Sequence, residues 1–234
     1  MKLKNELDKI YELNNSIEFI KKDPIQIPHK FSKKEDIEIS AFLTSILAFG
    51  KREIIISKAT DLMNRMNNQP YIYLSEENFQ NIKGFKHRTI NDIDIMCYLE
   101  ILKEIYKNGG LEELFSNDIE KSLIQFWKIF FSLPHEKRSE RHISNIESGS
   151  AGKRLNLFLR WMVRKDNVDF GIWKNINTSN LFIPLDVHVG NTARKLNIIS
   201  RKQNDWKSVI EISNFLKKLD PIDPIKYDFS LFSY

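Results

Sequence analysis

Between Asp36 and Gly50 the chain reads DIEISAFLTSILAFG. As a helix this segment is apolar on most sides, and such a helix has to be buried among others rather than laid on a surface. The requirement sets the fold class, because the neighbours that must surround it also carry helical spacing. Leu3, Leu7, Ile10, Tyr11 and Leu13 mark a helix over about 3–20, and Gly50 ends the buried segment before KREIIISKATDLMNRM begins the next. Further helices are expected over about 91–107, 119–132, 153–165, 187–197, 205–218 and 224–233. The short apolar pieces YIYL (71–74) and LFIPL (181–185) are bounded by turn residues but have no partner strands. With no repeats, low-complexity tracts or long linkers, the expected fold is all-α.

A chain of 234 residues is long enough for one large domain or two modest lobes. The 41% hydrophobic and 29% charged content excludes a disordered chain. No apolar run approaches the roughly 20 residues of a membrane span, and MKLKNELDKIYELNN has no signal-peptide core. Cys97 is the only cysteine, which excludes internal disulfides and cysteine metal clusters and fits a reducing cytoplasm. The histidines at 29, 87, 135, 142 and 188 form no close ligand pair, so no metal site and no cofactor is expected.

The net charge of +5 is uneven. Residues 1–117 hold 17 basic against 18 acidic side chains, whereas 118–234 hold 19 against 13. The stretch 137–165 alone has eight basic and two acidic residues, a concentration that points either to a phosphate-rich partner or to a solvated basic face.

Within it, SGSAGKRLNLFLRWMVRK (148–165) passes from a small-residue turn directly into a helix. Such a turn lets backbone N–H groups approach an anion at the positive end of the helix. A nucleotide-binding P-loop is excluded, since Glu147 stands where glycine is required and Arg154 where Ser or Thr is required. The helix is apolar over most of its circumference, with Trp161 in the core. Lys153, Asn156, Arg160 and Arg164 align as its one polar stripe, expected either to face a cleft or to snorkel to the surface. Downstream, IPLDVHVGNTARKLNI places Asp186 as the expected N-cap of a short basic helix.

Taken together, the turn, its helix-opening lysine and PLDVHVGNTARKL resemble the core of the helix-hairpin-helix DNA glycosylases. There a glycine-rich hairpin grips a DNA phosphate, a lysine follows it, and an aspartate opens the next helix in a V-D-x-H-V-x-R-x-A-R-R-L type motif. The matching positions here are Asp186, Val187, His188 and Val189, then Ala193, Arg194, Lys195 and Leu196. The segment 36–62 is similar to the N-terminal helix pair of the endonuclease III class, so the likeness covers about a third of the chain. KRLNLFLRWMVRKD, IPLDVHV and DPIKYDF also look like a bacterial family of unknown function placed near these glycosylases.

The departures are specific. Gly149 and Ala151 stand where the usual hairpin has two glycines, and Gly152 adjoins the lysine. The interval from Lys153 to Asp186 is 33 positions, with FGIWKNINTSNLF inserted, which resembles the archaeal oxoguanine-glycosylase branch. The four-cysteine iron–sulfur loop is absent.

The resemblance implies a two-lobed fold with a central cleft, one lobe containing about 36–135 and the other about 137–234, with helix 1–22 packing on the latter. It implies a monomeric base-excision glycosylase with abasic-site lyase activity, oxidised purine favoured, acting on double-stranded DNA. Lys153 and Asp186 would be catalytic. Gly149, Ser150, Gly152, Arg154, Arg160, Arg164, His188, Arg194 and Lys195 would contact DNA. Phe85, His87 and Arg88 in GFKHRT (84–89), with Tyr227 and Phe229 near the C-terminus, would wall a pocket for a flipped base; Phe232 is a further candidate there. The competing reading is a non-catalytic DNA-binding or damage-sensing protein on the same scaffold.

Overall fold

A computed structural model describes residues 2–76 and 78–234. The helices in chain order are α1 (Lys2–Asn14), α2 (Ile17–Lys22), α3 (Lys34–Leu47), α4 (Arg52–Arg65), α5 (Pro70–Tyr73) and α6 (Asp92–Lys107). There follow α7 (Ile119–Phe130), α8 (Lys153–Val163), α9 (Val187–Lys195), α10 (Trp206–Leu219) and α11 (Asp228–Ser233). The strands among the described residues, β1 (Lys86–His87) and β2 (Ile90–Asn91), form one antiparallel hairpin within GFKHRTIN. The protein is thus mostly helical. YIYL is a helical turn led by Pro70, whose fixed φ suits a first helical position, and LFIPL is extended but joins no ladder.

The chain divides into two compact units. One comprises residues 1–19, 116–124 and 144–234; the other comprises 20–115 and 125–143. α7 contributes its first half to one unit and its second half to the other.

In the second unit α3 is buried from Asp36 to Leu47, as its all-round apolar pattern requires. Phe42 meets Phe126 and Phe130 with ring centroids 5.9 and 5.5 Å apart. Its one deeply buried acid, Glu38, accepts a hydrogen bond from the Tyr106 hydroxyl at 2.8 Å. A capping box between Asn91 and Asp94 starts α6.

In the first unit α8 lies in the core with Leu155, Phe158, Trp161 and Met162 buried. α1 packs on α11, and α11 on α9. The α1 contacts are specific: the Leu7 carbonyl accepts from Ser230 Oγ at 2.6 Å, and Asp8 accepts from the Tyr227 hydroxyl at 2.9 Å. Tyr11 meets Phe229 edge-on at 5.8 Å.

Candidate active site

The turn before α8 is shaped by two left-handed glycines. Gly149 has φ +88° and Gly152, the N-cap of α8, has φ +63°. A Cβ on Gly152 would sit 3.2 Å from Ile146 Cγ2 and 3.3 Å from Asn156 Nδ2, so both conformation and space favour glycine there. No side chain caps α8 at this end. The turn is anchored from behind: Ser150 bridges Asp205, and the Trp206 N–H donates to the Gly149 carbonyl at 3.2 Å.

Asp186 is the N-cap of α9, extended at φ −114°, with its carboxylate accepting the Val189 N–H at 3.0 Å. The other carboxylate oxygen lies 3.7 Å from Lys153 Nζ and 3.9 Å from His188 Nδ1. Two residues 33 positions apart therefore meet at the starts of two helices. Their side chains keep 32% and 18% of their exposure, enough for a reactant to reach them. At 3.7 Å the pair is an ion pair rather than a tight hydrogen bond, so the carboxylate is not locked on the amine.

The rest of the α8 stripe corrects the expectation of a DNA-facing surface. Asn156, Arg160 and Arg164 are 1%, 4% and 1% exposed. Arg160 pairs with Asp228 and with Asp169 (3.3 Å), and its guanidinium stacks on Phe229 at 4.5 Å. Arg164 is held by Asp166 at 2.9 Å, by Asp223 at 2.8 Å and by Asp169. The physical reason is the cost of burying unpaired charge: a helix surrounded by apolar packing keeps arginines only where carboxylates meet them. Burial pushes the Asp169 carboxyl up to about 6 despite both guanidinium groups. Burial raises Asp228 as well; Arg160 opposes the rise and the nearby Asp186 charge adds to it.

The other expected contacts divide similarly. His188 is exposed, with its ring 5.7 Å from Phe232, and Lys195 is exposed over the Tyr234 ring at 4.9 Å. Arg154 is half-buried, and Gly149 lies exposed at the turn. Arg194 donates to the carbonyls of Arg201 and Lys202, each at 2.8 Å, and to Asn204 Oδ1 at 2.5 Å. Its guanidinium is thus engaged inside the protein.

Phe85, His87, Tyr227 and Phe229 are each at most 2% exposed, so the open aromatic pocket expected from them is instead core packing. Phe229 is enclosed by Tyr11, Phe19 and Arg160, and Tyr227 is bonded to Asp8. Burial lowers the pKa of His87. Arg88 alone of that group is exposed, left-handed at φ +53° and stacked over Phe49 at 5.5 Å.

Sequence reasoning missed Asp166, Asp169, Asp223 and Asp228, as well as Asn204. The signal was available for the acids: DNVD directly follows the arginine helix, and DPIDPIKYD supplies the remainder. Among the described residues no group of three or more His, Cys, Asp or Glu is placed to hold a metal ion, and no helix is long and apolar enough to cross a membrane.

Fold and site together define a helical protein with a partly exposed lysine–carboxylate pair built from a glycine turn and a helix cap. Over residues 23–234 the chain matches the family described as "Protein of unknown function (DUF2400)", and it belongs to that family. No curated protein and no solved structure matches it.

Proposed function

We propose that the protein is a base-excision DNA glycosylase with associated abasic-site lyase activity, acting through Asp186 and Lys153. The observation that carries this reading is the 3.7 Å approach of a partly exposed amine to a partly exposed carboxylate at two helix starts. As the N-glycosidic bond breaks, the base departs with the bonding electrons and positive charge develops on the sugar. A carboxylate fixed by its own cap stabilises that charge without having to reorganise. The lysine, after losing a proton to Asp186 or to solvent, attacks C1′ to give an aminal. The C1′–O4′ bond then breaks, O4′ takes up a proton, and the open sugar is left as a protonated Schiff base on the lysine. Loss of the C2′ proton and of the 3′ phosphate by β-elimination then nicks the strand. The start of α8 has no side-chain cap, and the positive end of its dipole suits a phosphate beside the reacting sugar. An oxidised purine is the favoured lesion, on the longer lysine-to-aspartate interval.

The test is borohydride trapping on a panel of lesion-containing duplexes. Wild type is expected to form a covalent complex with at least one lesion. Lys153→Gln is expected to form none while binding DNA within a few fold of wild type, since one lost phosphate contact changes affinity modestly. A lysine variant that still traps would remove Lys153 as the nucleophile, and a wild type that binds DNA but traps and excises nothing would establish the non-catalytic binder instead.

A further inference from the structure

Asp186 is held by more than its own cap. Its carbonyl oxygen accepts the Gly190 N–H at 2.9 Å and also the side-chain amide of Asn204 at 3.0 Å. The other end of that amide, Asn204 Oδ1, accepts from Arg194 at 2.5 Å. Asn204 is therefore wedged between the guanidinium of one α9 residue and the carbonyl that begins the same helix.

The wedge fits closely. A Cβ added at Gly190 would lie 2.5 Å from Asn204 Oδ1, 2.9 Å from its Nδ2 and 3.0 Å from an Arg194 nitrogen. Glycine within a helix is less favourable than alanine, and this close approach accounts for its presence.

The loop that bears Asn204 also reaches the other catalytic partner. Asp205 caps α10 through the Ser208 N–H at 2.9 Å, is bonded by Arg201 at 2.5 Å and bridges Ser150 in the turn before Lys153. Trp206, one residue on, donates its N–H to Gly149. Residues 204–206 thus span from the Asp186 carbonyl at one end to the Lys153 turn at the other.

We propose that Asn204 is a positioning residue, and that the 201–205 loop is a strut fixing the separation of Asp186 from Lys153. The catalytic half of this statement rests on the glycosylase reading, whereas the mechanical half does not. A carboxylate displaced by about 1 Å loses on the order of 10²-fold in rate, so a strut joining the two residues bears directly on turnover.

Two substitutions isolate the contact. Asn204→Asp keeps the acceptor for Arg194 and removes the donor to Asp186, so loop anchoring survives while positioning is lost. Gly190→Ala displaces Asn204 by contact and adds no charge. The first readout is amide hydrogen exchange at Val189 and Gly190, whose N–H groups bond the Asp186 carboxylate and carbonyl. The second is single-turnover trapping at saturating DNA, with DNA affinity measured alongside.

Exchange at Val189 in both variants, and at Gly190 in Asn204→Asp, is expected to rise at least tenfold while amides in the middle of α8 stay protected. The trapping rate is expected to fall about tenfold or more with affinity within a few fold. Unchanged exchange in a folded Asn204→Asp protein overturns the proposal, as does faster exchange with an unchanged trapping rate. Global unfolding of Asn204→Asp also overturns it, by showing that the contact serves the fold. A wild type that traps and excises no lesion defeats the glycosylase reading alone, and the exchange result then decides the strut by itself.

Discussion

Arg164→Met should be among the most damaging single changes in the unit that carries the candidate site. The side chain is 1% exposed and faces Asp166, Asp169 and Asp223, whose own side chains are 7%, 0% and 29% exposed. Methionine fills much of the volume but leaves three carboxylates, two of them deeply buried, with Arg160 the nearest remaining guanidinium to Asp169. Breaking a buried ion pair from one side typically costs about 3–5 kcal/mol, because the abandoned charge stays desolvated. For a protein this size each kcal/mol lowers Tm by about 2–4 °C, so a fall of roughly 6–20 °C is expected. The loss should depend on pH. Burial raises the Asp169 carboxyl from 3.8 to about 6, so its contribution to stability is complete below about pH 3.8 and is lost as pH climbs through 6. Removing Arg164 raises that carboxyl further and widens the window. Thermal unfolding followed by circular dichroism at pH 7.5 and pH 5 should therefore show a smaller penalty at pH 5. Adding Asp169→Asn to the variant should recover about 1 kcal/mol or more at pH 7.5. A single-variant loss below about 1 kcal/mol at pH 7.5, or an equal loss at both pH values, would refute the reasoning.

Two further outcomes are expected. Leu7 is fully buried although it precedes the family-matched residues 23–234, so Leu7→Ala should cost about 2–5 kcal/mol in urea unfolding; a loss under about 1 kcal/mol would mean that α1 is dispensable. The Arg201 hydrogen bond holds the Asp205 carboxyl down at about 2, so its contribution is present above pH 3.8 and lost as pH falls through 2. Asp205→Asn, which keeps a capping oxygen, should therefore lower Tm at pH 7 and converge on wild type near pH 2. A difference that persists unchanged at pH 2 would contradict this.

How far the sequence anticipates the molecule depends on the range of the interaction. α3 and α8 were legible because an apolar pattern around a helix has one stable solution, burial. The Asp186 cap was legible because it is written within four residues. The inward turn of Arg160 and Arg164 was not, because a polar stripe on a mostly apolar helix fits a surface equally well until its partners are known. Those partners lie from two to nearly 70 positions away, on the 166–169 loop and the C-terminal turn. YIYL was not legible as an element because four apolar residues carry no period, and Pro70 decides for a helical turn. Asn204 had no local signal: an asparagine in a polar loop becomes a wedge only when α9 folds back beside it.

The central claim is that the Lys153–Asp186 pair performs N-glycosidic cleavage, and base release under single-turnover conditions tests it most directly. Wild type and Asp186→Asn would be compared on the lesion panel, with DNA binding measured in parallel. Asparagine retains an oxygen for the Val189 N–H, so the variant should fold with at most a small loss of stability. It lacks the negative charge, and removal of electrostatic stabilisation of this kind is typically worth about 10²–10³ in rate. The expected result is a folded Asp186→Asn protein that binds DNA like wild type and releases the base on the order of 10²-fold more slowly or worse. Equal release by the two proteins, or no release by wild type from any lesion, would contradict the claim.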